Sequence, residues 1–177
     1  GDGGMIMGSA GAFLILESRK HAEARGVKPY ARISAVVSGR CRRQPGAARD
    51  SAEALLDRIS DQIPEGPLPV LSGCCGLQPQ LSEEREFLQE LSGRGAEPAI
   101  RGVNTVLGNN LEAQFPVNVA LASLAISRGG FFDPFDDSGV EREFSGKPES
   151  ILVSSWGHWR GESLALVETP DAPLRED

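Results

Sequence analysis

The chain's nucleophile- and base-bearing side chains are three cysteines and two histidines, and their spacing limits the chemistry open to them. Cys74 and Cys75 are adjacent and poorly placed to join each other in a disulfide, while Cys41 stands alone. His158 follows Gly157 in a turn after Ser154 and Ser155, and a fold that brought it to Cys74 or Cys75 would make a thiol–histidine nucleophile pair. The alternative reading of those thiols is as small buried hydrophobes. His21 lies in the charged run RKHAEAR and reads as solvated. Arg40, Arg42, Arg43 and Arg49 share one stretch with glycine and proline. They form either a soluble loop or a cradle for an acidic, phosphate-bearing partner. Gly8-Ser9-Ala10-Gly11 lacks the G-x-G-x-x-G spacing and precedes a strand-like run, so it reads as close backbone packing rather than a phosphate loop. So few cysteines and histidines cannot build a pair of zinc sites; neither metal nor cofactor is expected.

The whole chain narrows the partners further. It has 177 residues, 40% of them hydrophobic, which is enough for one ordinary domain with a core. Its 25 acidic against 18 basic residues give a net charge of -7, which repels nucleic-acid backbones. No apolar run approaches the roughly 20 residues of a membrane span. The opening Gly1-Asp2-Gly3-Gly4-Met5 has neither the basic nor the long apolar region of a secretory leader, so the chain reads as cytoplasmic.

The elements that must position these groups alternate between helix and strand. Ala12–Leu16 reads as a strand buried on both faces, and Ser18 as the cap of a short helix, residues 19–25, that stops at Gly26. Residues 30–37 alternate as a half-buried strand, residues 38–49 form a loop, and Asp50 or Ser51 caps a helix with Ala54, Leu55 and Ile59 inward. A strand over 67–72 runs into the turn Gly73-Cys74-Cys75-Gly76. Ser82 then caps a helix with Phe87, Leu88 and Leu91 on its apolar side, and residues 98–103 form a further strand. Residues 111–127 predict a helix apolar almost all round, hence buried between layers. Strands over 151–155 and 163–167 make a hairpin around Gly157 and Gly161. The domain therefore spans 1–169 and a flexible tail 170–177.

Gly4-Met5-Ile6-Met7-Gly8-Ser9-Ala10-Gly11-Ala12-Phe13-Leu14-Ile15-Leu16-Glu17, followed by His21-Ala22-Glu23-Ala24-Arg25-Gly26, resembles the middle of the β-ketoacyl-acyl carrier protein synthases, where G-F-V-M-G-E-G-A-G-x-L-V-L-E precedes H-A-x-A-R-G-A. Counterparts of later family motifs follow in order. Leu71–Pro79 stands for the A-H-G-T-x-T-P strand end, Val103–Asn109 for the K-S-x-x-G-H segment, and Trp156–Glu162 for the G-F-G-G-T-N turn. The resemblance implies an α/β fold, the carboxy-terminal half of a thiolase-like architecture, with a mixed sheet layered between helices. The half that carries the family's nucleophilic cysteine has no counterpart here.

What the resemblance implies for the site is a set of losses. The family's two histidines stabilise an enolate oxygen during decarboxylation. The first falls at Gly73 or Cys74 and the second at Asn109, while the family lysine falls at Asn104. None is retained. Cys75 and His158 stand as substitutes, and Glu112, Gln114, Phe115, Trp156 and His158 are expected to line and narrow the acyl pocket. Glu112 and Gln114 would need hydrogen-bonding partners there. Small residues such as Gly73–Gly76, with Pro116 after the lost second histidine, resemble the chain-length-factor branch of type II polyketide synthases. The implied role is a non-catalytic subunit in fatty-acid or polyketide assembly that completes a fold and shapes a pocket with a second chain, either a ketosynthase or the amino-terminal half. Acyl carrier protein is an implied contact of Arg40, Arg42 and Arg43. The alternative is half of a split, active synthase whose cysteine lies on the partner.

Overall fold

The computed structural model describes residues 4–42, 44–136, 140–157 and 161–173. Five strands form one mixed sheet: β1 (Arg32–Ser38), β2 (Gly66–Ser72), β3 (Ala96–Gly102), β4 (Ser150–Trp156) and β5 (Glu162–Glu168), in the order β1-β5-β4-β2-β3. β2 runs parallel to β3 and β4; β5 is antiparallel to both β4 and β1. The strands β1, β2, β3 and β4 thus end at one edge of the sheet, where loops collect side chains from several elements.

Alternation along each strand splits the core in two. Leu68, Val70, Leu152 and Leu164 face α2 (Ala47–Asp57) and α3 (Gln80–Gly93), where Leu55, Leu56, Phe87 and Leu91 are buried. Leu71, Ile151, Val153, Ala165 and Val167 face α5 (Gln114–Arg128) through Val119, Ala122, Ala125 and Ile126. The result is the expected layering of helices on both faces of a sheet. Two short helices complete it, α1 (Arg19–Ala24) and α4 (Val103–Leu107).

Ser18 does cap α1, its hydroxyl accepting the His21 N–H at 3.3 Å, and Gly26 takes the left-handed φ of +66° just beyond the helix. The caps of α2 and α3 differ from expectation. α2 starts at Ala47, inside the stretch read as loop, because the Glu83 carboxylate on α3 reaches across and accepts the N–H groups of Gly46 and Arg49, each at 2.9 Å. That long-range cap replaces the local one sought at Asp50 or Ser51. Ser82 lies inside α3 and donates to Pro79 O at 2.9 Å instead of capping. The expected strand 98–103 shifts to 96–102, since Val103 already opens α4.

Ala12–Leu16 is corrected outright. It is no strand, and Phe13, Ile15 and Leu16 are 101%, 89% and 72% exposed. Among the described residues it joins no sheet; the chain before it is held by the parallel bridge of Met7 with Asn109 and by the Ala10 N–H on Asn110 Oδ1. The long helix is also divided: Leu111–Ala113 forms a tighter turn before α5. One side of α5 is fully buried on the sheet, whereas Ala120, Leu121 and Leu124 are only half-buried, so it is not enclosed on all sides. At the carboxy-terminal end, the carbonyls of Pro170, Ala172 and Pro173 accept hydrogen bonds from Arg19 and Arg32.

Candidate functional site

At the carboxyl edge, the turn after β2 is built by close approach of backbone. The Gly73 N–H donates to Ser154 O at 3.0 Å, so β2 and β4 touch just where the turn begins. Ser72 holds the turn from beneath. Its hydroxyl accepts the Cys74 N–H at 3.0 Å and donates to Glu84 Oε1 at 2.5 Å. Ser154 also donates to that oxygen, at 3.3 Å, and in turn accepts the Trp156 indole N–H at 3.3 Å.

Glu84, fully buried on α3, is the residue that sequence reasoning passed over. Of the two consecutive glutamates at the start of α3, Glu83 caps α2 and Glu84 enters the core. Burial pushes the Glu84 carboxyl well above the usual carboxylate range, against the opposing pull of the Ser72, Ser154, Cys74 and Trp156 donors. The Cys74 thiol is pushed up as well, first by burial and then by the nearby Glu84 charge. Cys74 is therefore held as a thiol and is a poor nucleophile.

A raised carboxyl has a definite consequence for stability. The folded state holds the Glu84 proton more tightly than the unfolded chain. Its stabilising contribution is thus complete below the unfolded pKa and is lost as pH rises through the folded one. Glu84→Gln removes that titration. Its melting temperature relative to wild type should climb as pH is raised from about 5 towards 9; thermal melts at intervals across that range check it, and a pH-independent difference would contradict it.

Asn104, at the start of α4, crosses to the same turn. Its Nδ2 donates to Cys74 O at 2.6 Å and lies 3.5 Å from Gly73 O, while its Oδ1 is buried without a partner. Asn109 and Asn110 form the next loop. Asn109 Oδ1 accepts the Leu111 N–H at 3.0 Å, and Asn110 Oδ1 accepts the Ala10 N–H at 2.7 Å. Gln114 links to both sides: Oε1 accepts the Asn110 N–H at 3.2 Å and Nε2 donates to Asn118 Oδ1 at 2.9 Å. Gln114 thus has the partners its burial requires, whereas Glu112 is exposed and needs none.

The fold therefore gathers Gly73, Cys74, Asn104 and Gln114 around one turn, with Asn109 a loop away. Phe115 is partly buried against the α5 side of the sheet. Trp156 sits on the opposite side, edge-on to Phe87 at 5.6 Å between ring centroids. Cys75 is buried and lines an open cleft of about 420 Å³ between α3 and the β3–α4 junction, together with Cys74, Glu84 and Asn104. Cys41 is elsewhere, its thiol donating to the buried Glu162 at 3.4 Å. Arg40 and Arg42 are exposed, and Arg49 is engaged with Asp50 and Glu86. His158 and Arg43 lie outside the described residues. Among the described residues there is no cluster of three or more metal-ligating side chains, and no helix is long and apolar enough to cross a membrane.

No family model matches the chain. It is 30% identical over 137 residues to the oxytetracycline polyketide beta-ketoacyl synthase 1 of Streptomyces rimosus, an alignment covering 71% of this chain and 31% of that protein. Among solved structures, the ishigamide ketosynthase/chain length factor superposes with a TM-score of 0.72 at 19% identity, over 94% of this chain and 44% of that one. A keto synthase–chain length factor, PfaC, gives a TM-score of 0.68 at 16% identity, over 89% and 20%. A type II polyketide synthase ketosynthase, solved with its acyl-carrier protein and bound to the hexaketide, gives 0.64 at 15%, over 86% and 42%. The chain spans less than half the length of each of these relatives. The chain therefore has the fold of the ketosynthase and chain-length-factor structures on which it superposes, and it is similar in sequence to a polyketide beta-ketoacyl synthase.

Proposed function

We propose that the chain acts as a non-catalytic, chain-length-factor-like component of a condensing assembly in polyketide or fatty-acid biosynthesis, completing a fold and shaping an acyl pocket together with a ketosynthase-type partner. One observation carries the reading. Where the resemblance puts two histidines and a lysine, this chain has Gly73 or Cys74, Asn109 and Asn104; the Asn104 amide donates to Cys74 O, and the Asn109 amide oxygen accepts the Leu111 N–H. An asparagine amide can donate one hydrogen bond to an oxyanion, but it carries no charge and cannot exchange a proton near neutral pH as a histidine does.

The surface supports a partner. Ile6, Phe13, Ile15 and Leu16 are more than 70% exposed, and Val106 and Leu111 add apolar area beside them. Exposed apolar surface of this kind marks a contact region. The partner is the amino-terminal half of the fold or a ketosynthase, and Arg40, Arg42 and Arg43 are the proposed contact for an acyl carrier protein, whose acidic surface they complement.

The test is condensation by the chain together with a ketosynthase. Cys74→Ala, Cys75→Ala and His158→Ala in this chain should leave the rate almost unchanged, with acyl label confined to the partner. A 100-fold loss, about 2.7 kcal/mol of barrier, or an acyl adduct on Cys41, Cys74 or Cys75, would instead make this chain half of a split, active synthase.

A further inference from the structure

Glu162 opens β5 opposite Trp156 of β4 and is 1% exposed. Its Oε1 accepts the Cys41 thiol at 3.4 Å, while its Oε2 is buried and has no hydrogen-bond partner among the described residues. A buried carboxylate with one oxygen left unpaired carries a desolvation cost that a nearby cation would offset. The thiol beside it is held in place by the end of the β1–β5 pairing. Ser38 lies opposite Ser163, the Gly39 N–H donates to Glu162 O at 2.9 Å, and Cys41 follows two residues later. Burial first, then the hydrogen bond and charge of Glu162, push the Cys41 thiol up, against backbone hydrogen bonds at Gly161 and at Cys41 itself that favour the thiolate. The proton thus stays between sulfur and oxygen unless something of higher charge displaces it.

The separation of the two groups is that of a chelate. A tetrahedral ion with a metal–sulfur distance of about 2.3 Å and a metal–oxygen distance of about 2.0 Å sets its sulfur and oxygen ligands about 3.5 Å apart. Cys41 Sγ and Glu162 Oε1 already stand at 3.4 Å.

We propose that Cys41 and Glu162 hold one divalent metal ion of the zinc class, which takes the place of the thiol proton between Sγ and Oε1 and uses Oε2 as a third donor atom. A thiolate selects borderline-soft ions of this class over magnesium and calcium, which take oxygen ligands. Thiolate and carboxylate together neutralise the two charges of the ion. Cys41 is only half-buried, so the ion has a path in and room for water at its open position. Arg40 and Arg42, its neighbours in sequence, are exposed, and solvent screens their charges. Neither Cys41 nor Glu162 lines the cleft beside Cys74, so the proposal does not depend on the proposed subunit role.

Titration of the whole chain with cadmium tests it, read by the ultraviolet sulfur-to-metal charge-transfer band and by calorimetry in two buffers of different ionisation enthalpy. One equivalent should bind with the band of a single thiolate. About one proton should be released to the buffer, since the metal–sulfur bond forms as the Cys41 S–H bond breaks. Zinc should displace the cadmium and magnesium should not. Cys41→Ser should abolish the band, whereas Cys74→Ala combined with Cys75→Ala should keep it. Glu162→Gln leaves the thiol in place, countable with a disulfide reagent, and should weaken cadmium at least about tenfold, the cost of losing even an outer partner of a metal site. Glu162→Asp, which draws the carboxylate back by one methylene, should weaken it too and decides the matter if thermal melts show the glutamine variant unfolded. No band at submillimolar cadmium, a band that survives Cys41→Ser, or an affinity unchanged in the folded Glu162 variant would each overturn the proposal.

Discussion

Arg101→Ala should lower the unfolding free energy by about 3–5 kcal/mol, the range seen when one partner of a buried ionic network is deleted. Arg101 stands on β3 with 0% exposure. Its guanidinium donates to the carbonyls of Phe132 at 2.8 Å, Ile100 at 2.7 Å and Arg142 at 2.9 Å, and lies over the Phe131 ring. Glu141 is 3.9 Å away and itself holds the backbone of Gly102 and Phe135. One side chain thus joins the end of β3 to both described ends of the connection between α5 and β4. Removing it leaves the buried Ile100 carbonyl and the part-buried Phe132 and Arg142 carbonyls without that donor, and takes the nearby cation from the buried Glu141 carboxylate. Arg101→Met, which keeps much of the volume, should recover only the packing part of the loss. Urea denaturation measures both, and an alanine variant within 1 kcal/mol of wild type would refute the account.

Gly73→Ala should cost about 1–3 kcal/mol by overpacking, with a melting temperature lower by roughly 2–12 °C for a chain of this size. A Cβ on Gly73 would stand 2.8 Å from Ser154 O, a backbone atom already fixed by its hydrogen bond to the Gly73 N–H. No rotamer relieves that contact, and β2 and β4 are held together by the pairing of Val70 with Leu152 and Leu71 with Val153. Gly73→His should be worse still. Restoring a histidine at this position by one substitution is therefore expected to unfold the edge of the sheet rather than restore chemistry. Differential scanning calorimetry of the two variants decides the matter: a histidine variant as stable as wild type would show that β4 yields and that the position is open.

From residue 19 onward the sequence by itself determined most of the alternation of helices and strands and the layering of helices on the sheet. Partial alternation in residues 30–37 marks β1, the short apolar runs in 151–155 and 163–167 mark β4 and β5, and Phe87, Leu88 and Leu91 mark the inner side of α3, because such patterns are local properties of the chain. The motif order that resembles the β-ketoacyl synthases also lay in the sequence, as did the identity of the residues at Gly73, Asn104 and Asn109. Tertiary structure decided what depends on approach between distant segments. Ala12–Leu16 has the composition of a buried strand, but a strand needs a neighbour for its backbone, and among the described residues this segment pairs with no strand. Glu83 and Glu84 look alike in a helix's first turn, yet the first meets the open amino terminus of α2 and the second meets two serines beneath the sheet's carboxyl edge. Their roles come from what lies opposite them, 34 to 37 residues away for Glu83 and 12 and 70 for Glu84, and no local pattern encodes such meetings.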